Sequence, residues 1–141
     1  MNAIERLWAN YELPTLDALY FADGRSYEVE LDSDAPGLKV VEPFDLEEFL
    51  VEDPDWVTRV DGQRSVSLAD GGFLWGGDGA HGSNGFCARL NADRTLVWAM
   101  FFQVSNPFTE VRVSGDIAVF HSTSGVSITV DINDPLSSAA V

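Results

Sequence analysis

The residue types that could do chemistry at close spacing lie in residues 71–85, GGFLWGGDGAHGSNG, which we call the glycine-rich segment. Asp78, His81 and Asn84 offer a carboxylate, an imidazole and an amide, with the Ser83 hydroxyl among them. Together they could line a small polar ligand site. The interpretation that we favour is a turn-rich connector, because glycine takes positive φ angles at little steric cost.

Known motifs of glycine-rich loops do not match this segment. A phosphate-binding loop needs a lysine at the start of a helix, and the segment contains no lysine. A nucleophile elbow needs a glycine two residues before its serine, but His81 takes that position relative to Ser83. A calcium loop needs several acidic ligands, and the segment has one carboxylate, Asp78. We therefore do not predict an enzyme.

The histidine and cysteine content argues against a metal centre. The chain has two histidines, His81 and His121, and one cysteine, Cys87. These residues do not supply the paired Cys and His ligands of a zinc site, and a single cysteine cannot form an internal disulfide. Neither a metal nor a cofactor is predicted.

Charge is the strongest feature of the chain. The sequence carries 23 acidic and 8 basic residues, a formal net charge of -15. Residues 28–55, which we call the acidic run, contain eleven of the acids and one base, Lys39. Such a field repels nucleic acid and anionic membranes and attracts cationic partners. The acidic run therefore predicts a docking surface for a basic protein, and the alternative is a solvated face that serves solubility.

Aromatic residues in or beside the acidic run could anchor such a contact, since interface hot spots are enriched in tryptophan and tyrosine. Phe44 and Phe49 fit a hydrophobic core equally well. The residues predicted to bind the partner are Asp32, Asp34, Glu42, Asp45, Glu47, Glu48, Glu52, Asp53, Asp55 and Trp56.

Length and composition predict one domain over residues 1–141. A chain of 15.4 kDa with 45% hydrophobic residues can bury its own core. The N-terminal stretch lacks the basic and apolar regions of a secretory signal, and no run of about 18 apolar residues occurs. We therefore expect a cytoplasmic protein with no membrane segment.

The fold is expected to form around a strand at residues 95–104, TLVWAMFFQV. This stretch is apolar on both parities, and successive side chains of a strand point to opposite faces. Such a strand lies inside a sheet and is covered on both faces. The cover could come from an N-terminal helix, from a helical turn at residues 46–51 or from another chain.

The remaining pattern predicts an α+β fold, a mainly antiparallel twisted sheet with one or two short covering helices. Asn2 and Asp45 are predicted to cap helices at residues 2–11 and 46–51. The chain is predicted to end in a five-stranded β-meander, with strands at residues 86–90, 95–104, 109–113, 117–121 and 126–132.

Two Asp-Gly dipeptides, at residues 23–24 and 61–62, are predicted to form hairpin turns. The first would join strands at residues 16–22 and 25–31. The second would join strands at residues 56–60 and 64–68.

The segments WGGDGAHGSNGF, LVW, FF and SNPF, between the glycine-rich segment and residue 108, resemble small acidic immunity proteins of bacterial toxin–immunity systems. The resemblance covers roughly the C-terminal half. It implies a tight, non-catalytic inhibitor that blocks the active site of a cognate toxin, often a nuclease or another enzyme that binds polyanions. The acidic run suits this role, because carboxylates can occupy a basic cleft meant for phosphates.

Two other functions are kept as alternatives. One is a small-ligand-binding domain or enzyme that uses Asp78, His81 and Asn84. The other is an interaction subunit that self-associates through the doubly apolar strand.

Overall fold

The computed structural model describes residues 1–32 and 37–139, most of them in antiparallel sheet. The predicted loop at residues 32–37 lies largely outside the described residues, and Asp34 lies outside them entirely. The helices are α1 (Ala3–Trp8), α2 (Leu46–Glu52) and α3 (Pro135–Ala139). The strands are β1 (Glu12–Pro14), β2 (Ala18–Phe21), β3 (Ser26–Asp32), β4 (Gly37–Pro43), β5 (Val57–Arg59), β6 (Asp61–Ser67), β7 (Phe73–Asp78), β8 (Gly85–Leu90), β9 (Leu96–Phe102), β10 (Phe108–Ser114), β11 (Ile117–Ser122) and β12 (Ser127–Asp131).

The largest sheet has seven antiparallel strands in the order β4-β3-β2-β9-β8-β7-β6. β9 is the fourth of the seven. Trp98 and Phe102 are buried in a cluster on one face of this strand, and Ala99 and Phe101 are buried in a second cluster on the other. The prediction of an interior strand covered on both faces is therefore confirmed.

Different elements of the same chain cover the two faces of β9. A three-stranded sheet, β10-β11-β12, packs on the face of Trp98, whose ring centre lies 6.4 Å from that of Phe120. The Trp98 Nε1 donates a hydrogen bond to the Ile132 carbonyl oxygen at 3.0 Å. Helices α1 and α2, together with Leu13 of β1, cover the face of Phe101. Because the chain itself covers both faces, the reason for predicting self-association through this strand is removed.

A β-bulge reverses the side-chain alternation at the start of β9. The register of β8 with β9 skips Val97 between Trp98 and Leu96. Leu96 consequently packs in the cluster under the helices, although simple alternation places it beside Trp98. Beyond the end of β9, Val104 is exposed, whereas alternation predicts that it is buried.

The predicted five-stranded meander is wrong at one connection. β8 and β9 form a hairpin as expected, but the second neighbour of β9 is β2. β10 begins a separate sheet, in which β10, β11 and β12 form a three-stranded meander. The chain leaves the first sheet at Asn106, which has a positive φ of 65° and donates its N–H to the Ser83 carbonyl oxygen.

The predicted connector at residues 71–85 is also wrong, because residues 73–78 form β7 between β6 and β8. In this strand, glycine permits close packing of neighbouring backbone. A Cβ on Gly76 would lie 2.9 Å from the Phe108 carbonyl oxygen, and a Cβ on Gly77 would overlap the backbone of Asp61. Within the segment, Gly71 alone takes a positive φ, 90°. Lack of a side chain, rather than positive φ, explains the other glycines of the strand.

The two Asp-Gly predictions have opposite outcomes. Residues 23–24 turn between β2 and β3, and Gly24 has a φ of 101°, so this hairpin is confirmed. Residues 61–62 instead lie inside β6, which pairs with β7, while β5 pairs with β1. The Trp75 ring occupies the space that a Cβ of Gly62 would need.

Both predicted helix caps are confirmed. The Asn2 side chain accepts a hydrogen bond from the Glu5 N–H, and the Glu5 carboxylate accepts one from the Asn2 N–H. The Asp45 carboxylate accepts a hydrogen bond from the Glu48 N–H at 3.1 Å. Polar caps of this kind satisfy N–H groups that have no partner inside the helix. Helix α1 is shorter than predicted, and α3 was not predicted.

Candidate partner-binding surface

The acidic side chains of β3 lie on the face of the large sheet that carries the helices. Ser26 lies opposite Tyr20 in the ladder of β2 and β3, and Tyr20 packs in the cluster under the helices. Glu28 and Glu30 share the parity of Ser26, so they point to that same face. Both are exposed, whereas Val29 between them is buried on the other face. The strand thus separates its charges from its core residue.

β4 adds to this acidic surface at the edge of the sheet. Glu42 lies directly opposite Glu28, and Lys39 lies opposite Glu30. Directly opposite side chains have Cβ atoms about 4.5–5.5 Å apart, and like charges in that position destabilise a sheet. A cation bound near Glu28 and Glu42 would relieve this repulsion.

Helix α2 places further acids on the same face, but two of them already have structural roles. Asp45 caps the helix, as described above. One Glu47 oxygen accepts the Ala3 N–H at 3.0 Å, and the other lies 3.1 Å from the Arg6 guanidinium. Glu47 therefore joins α2 to α1. The role of these two residues in binding a partner is a separate matter from their contribution to folding.

The other nominated acids on and after α2 point into solvent. Glu48, Glu52, Asp53 and Asp55 are exposed and form no ion pair with any residue in the described ranges. Glu42 on β4 is likewise exposed and forms no ion pair there. Asp32 is exposed at the end of β3 and has a polar partner. The local negative charge is therefore largely uncompensated.

Trp56 presents an aromatic ring beside these carboxylates. It is 51% exposed, and Val51 on α2 is 82% exposed. The backbone around the ring is fixed: the Trp56 N–H donates to the Asp53 carbonyl oxygen, and the Thr15 N–H donates to the Trp56 carbonyl oxygen. Phe44 and Phe49, in contrast, pack against the core. A fixed, half-exposed tryptophan among carboxylates has the composition of an interface hot spot.

The polar residues of the glycine-rich segment do not converge on a ligand site. Asn84 is buried, and both ends of its amide are engaged: Nδ2 donates to the Gln103 carbonyl oxygen at 3.1 Å, and Oδ1 accepts the His81 N–H at 3.2 Å. The His81 side chain is exposed at the tip of the loop. Asp78 lies at the end of β7 and accepts one long hydrogen bond of 3.4 Å, from Gln63. Asn84 therefore stabilises the loop, which corrects its proposed role as a ligand-binding residue.

The cysteine and the second histidine are engaged in packing. Cys87 is buried in the cluster that contains Trp98, and burial raises the pKa of its thiol well above the usual value. A raised pKa disfavours the reactive thiolate. His121 is half-buried, with its Nδ1 2.6 Å from the Ser127 hydroxyl oxygen.

Sequence reasoning missed a depression beside Asp78. It has a volume of about 720 Å³, and its lining includes Tyr11, Arg59, Asp61, Trp75 and Asp78. The interpretation of residues 61–62 as a hairpin turn hid it, because a turn there would separate Asp61 from Asp78. The strong strand character of FLW in the glycine-rich segment was the signal that could have revealed β7 and this depression.

Within residues 1–32 and 37–139, no three His, Cys, Asp or Glu side chains are grouped closely enough to hold a metal ion. No helix in the described part of the chain is long and apolar enough to cross a membrane. In comparisons with known proteins, no family model, curated protein or solved structure matches this chain.

Proposed function

We propose that this chain is an immunity-type inhibitor that binds and neutralises a basic bacterial toxin by covering the toxin's active site. The inhibitor acts in the cytoplasm and catalyses no reaction itself. The toxin is a nuclease or another enzyme that uses a polyanion or a nucleotide, because such an enzyme has a basic cleft that carboxylates can enter.

The observation that carries this proposal is the concentration of exposed acids from β3, β4 and α2 on one face, followed by the half-exposed Trp56. Uncompensated carboxylates raise the rate at which a basic partner associates. A desolvated aromatic anchor slows dissociation. The combination provides both parts of tight binding without any catalytic group.

The first experiment uses the basic C-terminal domain of a secreted multidomain protein encoded beside this gene. Coexpression of this chain should rescue cells from the toxicity of that domain, and the two purified proteins should form a complex. The association rate should fall steeply between about 0.1 M and 1 M salt, because the Debye length shortens from about 10 Å to about 3 Å. An acidic partner, or an association rate that does not change with salt, would contradict the proposal.

Variants then separate the acidic run from general charge. Asp32→Asn with Glu42→Gln should slow association, whereas Glu110→Gln with Asp116→Asn should have little effect. The two double variants change the net charge equally, and Glu110 and Asp116 lie on or beside strands of the second sheet. Equal slowing by both would mean that net charge, and not the acidic run, attracts the toxin.

Single variants test the central contact. Truncating a carboxylate buried by the partner, for which Glu48, Asp53 and Asp55 are the candidates, should speed dissociation and cost about 2–5 kcal/mol of binding free energy. Trp56→Ala should likewise speed dissociation and cost about 2 kcal/mol or more. Unchanged dissociation in all four variants would place the contact elsewhere.

A further inference from the structure

A depression on the surface, separate from the acidic run, combines two aromatic rings with two unpaired carboxylates. It lies where the ends of β5, β6 and β7 meet the residue that follows α1. Tyr11 and Trp75 form one part of its lining, and Asp61 and Asp78 form another. This arrangement has features of a site for an organic cation.

The aromatic part of the depression is rigid and only partly covered. The ring centres of Tyr11 and Trp75 are 5.7 Å apart at an angle of 79°, and both residues are half-buried. The Trp75 ring rests on Gly62, where a Cβ would collide with it. Neither the Tyr11 hydroxyl nor the Trp75 Nε1 has a hydrogen-bond partner among the described residues. An arginine or lysine held against such rings gains cation–π attraction.

The carboxylates of the depression lack a cation. Asp61 and Asp78 lie directly opposite each other in the ladder of β6 and β7. Neither carboxylate forms an ion pair within the part of the chain that the structure describes. Arg59 also lines the depression, but its register partner is Glu12 on β1, which offsets its charge. The local balance favours a positive ligand, since like charges directly opposite destabilise a sheet.

We propose that this depression receives an arginine side chain of the toxin, between Tyr11 and Trp75 on one side and Asp61 and Asp78 on the other. Arginine fits better than lysine because its planar guanidinium both stacks on aromatic rings and donates paired hydrogen bonds to carboxylates.

This inference rests on the proposed function and names a second contact of the same partner. β5 leads from Trp56 to Arg59, three residues on, and a strand advances about 3.3 Å per residue. A standard interface covers about 800 Å² on each protein, enough to include both Trp56 and the depression. One bound toxin domain can therefore contact the two sites together.

The test uses arginine amide as the probe, so that it does not depend on a toxin. Titration of the isotopically labelled protein should shift the indole N–H resonance of Trp75 in a saturable manner, with the resonance assigned through a Trp75→Phe variant. In Asp61→Asn with Asp78→Asn, the apparent affinity should fall about fivefold or more, as expected when two exposed charge pairs are lost. Glu110→Gln with Asp116→Asn should leave it unchanged at the same net charge.

Four outcomes decide the matter. A site-specific shift that is lost in the Asp61 and Asp78 double variant supports the proposal. No saturable shift at Trp75, or equal weakening in the Glu110 and Asp116 double variant, overturns it. A stronger response to lysine amide than to arginine amide overturns the assignment to arginine. If the toxin binds while Trp75 does not respond to the probe, this inference fails and the proposed function stands; if the probe binds while no toxin is captured, only the proposed function fails.

Discussion

The acidic run and the glycine-rich segment are both biased in composition, yet they occupy opposite environments in the fold. In the acidic run, β3 and α2 bury one set of side chains and direct their carboxylates into solvent. In the glycine-rich segment, β7 is paired on both sides and its glycines touch neighbouring backbone. The comparison teaches that a charged stretch can vary with little effect on folding, whereas a stretch without side chains can be the most tightly packed.

Tryptophan substitution should show the largest difference between the core and the acidic run. Trp98 is 1% exposed and Trp56 is 51% exposed. Trp98→Ala should lower the free energy of unfolding by about 3–5 kcal/mol, the usual cost of deleting a large buried aromatic side chain. Trp56→Ala should cost about 1 kcal/mol or less, because half of its surface is already in water. Chemical denaturation measures both, and similar losses would show that Trp56 belongs to the core.

Two glycine substitutions should sharpen the comparison inside the glycine-rich segment. A Cβ on Gly77 would overlap the Asp61 carbonyl oxygen, whereas a Cβ on Gly82 would meet no atom within 4 Å. Gly77→Ala should therefore cost about 3 kcal/mol, the upper end for overpacking, since backbone cannot move aside easily. Gly82→Ala should change stability by less than about 0.5 kcal/mol. Thermal or denaturant unfolding gives the test, and a tolerated Gly77→Ala would mean that β6 and β7 are not closely packed there.

The loop after β7 offers a smaller effect. Asn84→Ala should cost about 2 kcal/mol, because the Gln103 carbonyl oxygen and the His81 N–H each lose a partner. His81→Ala should change stability by less than about 0.5 kcal/mol, since that side chain is exposed. Denaturant unfolding of both variants checks this. A loss of ligand binding or of any catalytic rate in His81→Ala would instead revive the ligand-site alternative.

Within the acidic run, one carboxylate should contribute measurably to stability. Glu47→Gln should cost about 0.5–1 kcal/mol, because Glu47 pairs with Arg6 and accepts the Ala3 N–H at the surface. Glu48→Gln should be neutral or slightly stabilising, since its carboxylate has no cationic neighbour within the described residues. Unfolding at low and high salt measures both effects, and equal costs would show that Glu47 does not join α2 to α1.

The smallest effect concerns acid stability at the start of the glycine-rich segment. Hydrogen bonds from the Gly72 N–H and from Arg89 lower the pKa of Asp70 in the folded state. The stabilisation is therefore complete above the unfolded pKa and is lost as the pH falls through the lower, folded pKa. Asp70→Asn should remove this part of the pH dependence. Carboxyl NMR titration measures the pKa directly, and a value at or above that of a model peptide would contradict the prediction.

Short-range patterns in the sequence determined much of the secondary structure. Asp45 and Glu48 are three residues apart, so their capping bond forms within one helical turn. The turn at residues 23–24 depends on the φ of Gly24. The interior position of β9 follows from apolar residues on both parities. The acidity of residues 28–55 is likewise visible without any structure, although its role in binding is a proposal.

Only the tertiary structure decided which strands pair and which charges share a face. β9 pairs with β2 and not with β10, although β10 follows it in the chain. Trp8 Nε1 donates to the Arg94 carbonyl oxygen across 86 positions, and no local pattern predicts such a contact. Tyr11 and Trp75 are likewise brought together by packing. Local spacing specifies how each segment can bury its own apolar side chains, but the choice among partners depends on the burial and backbone pairing of the whole chain at once.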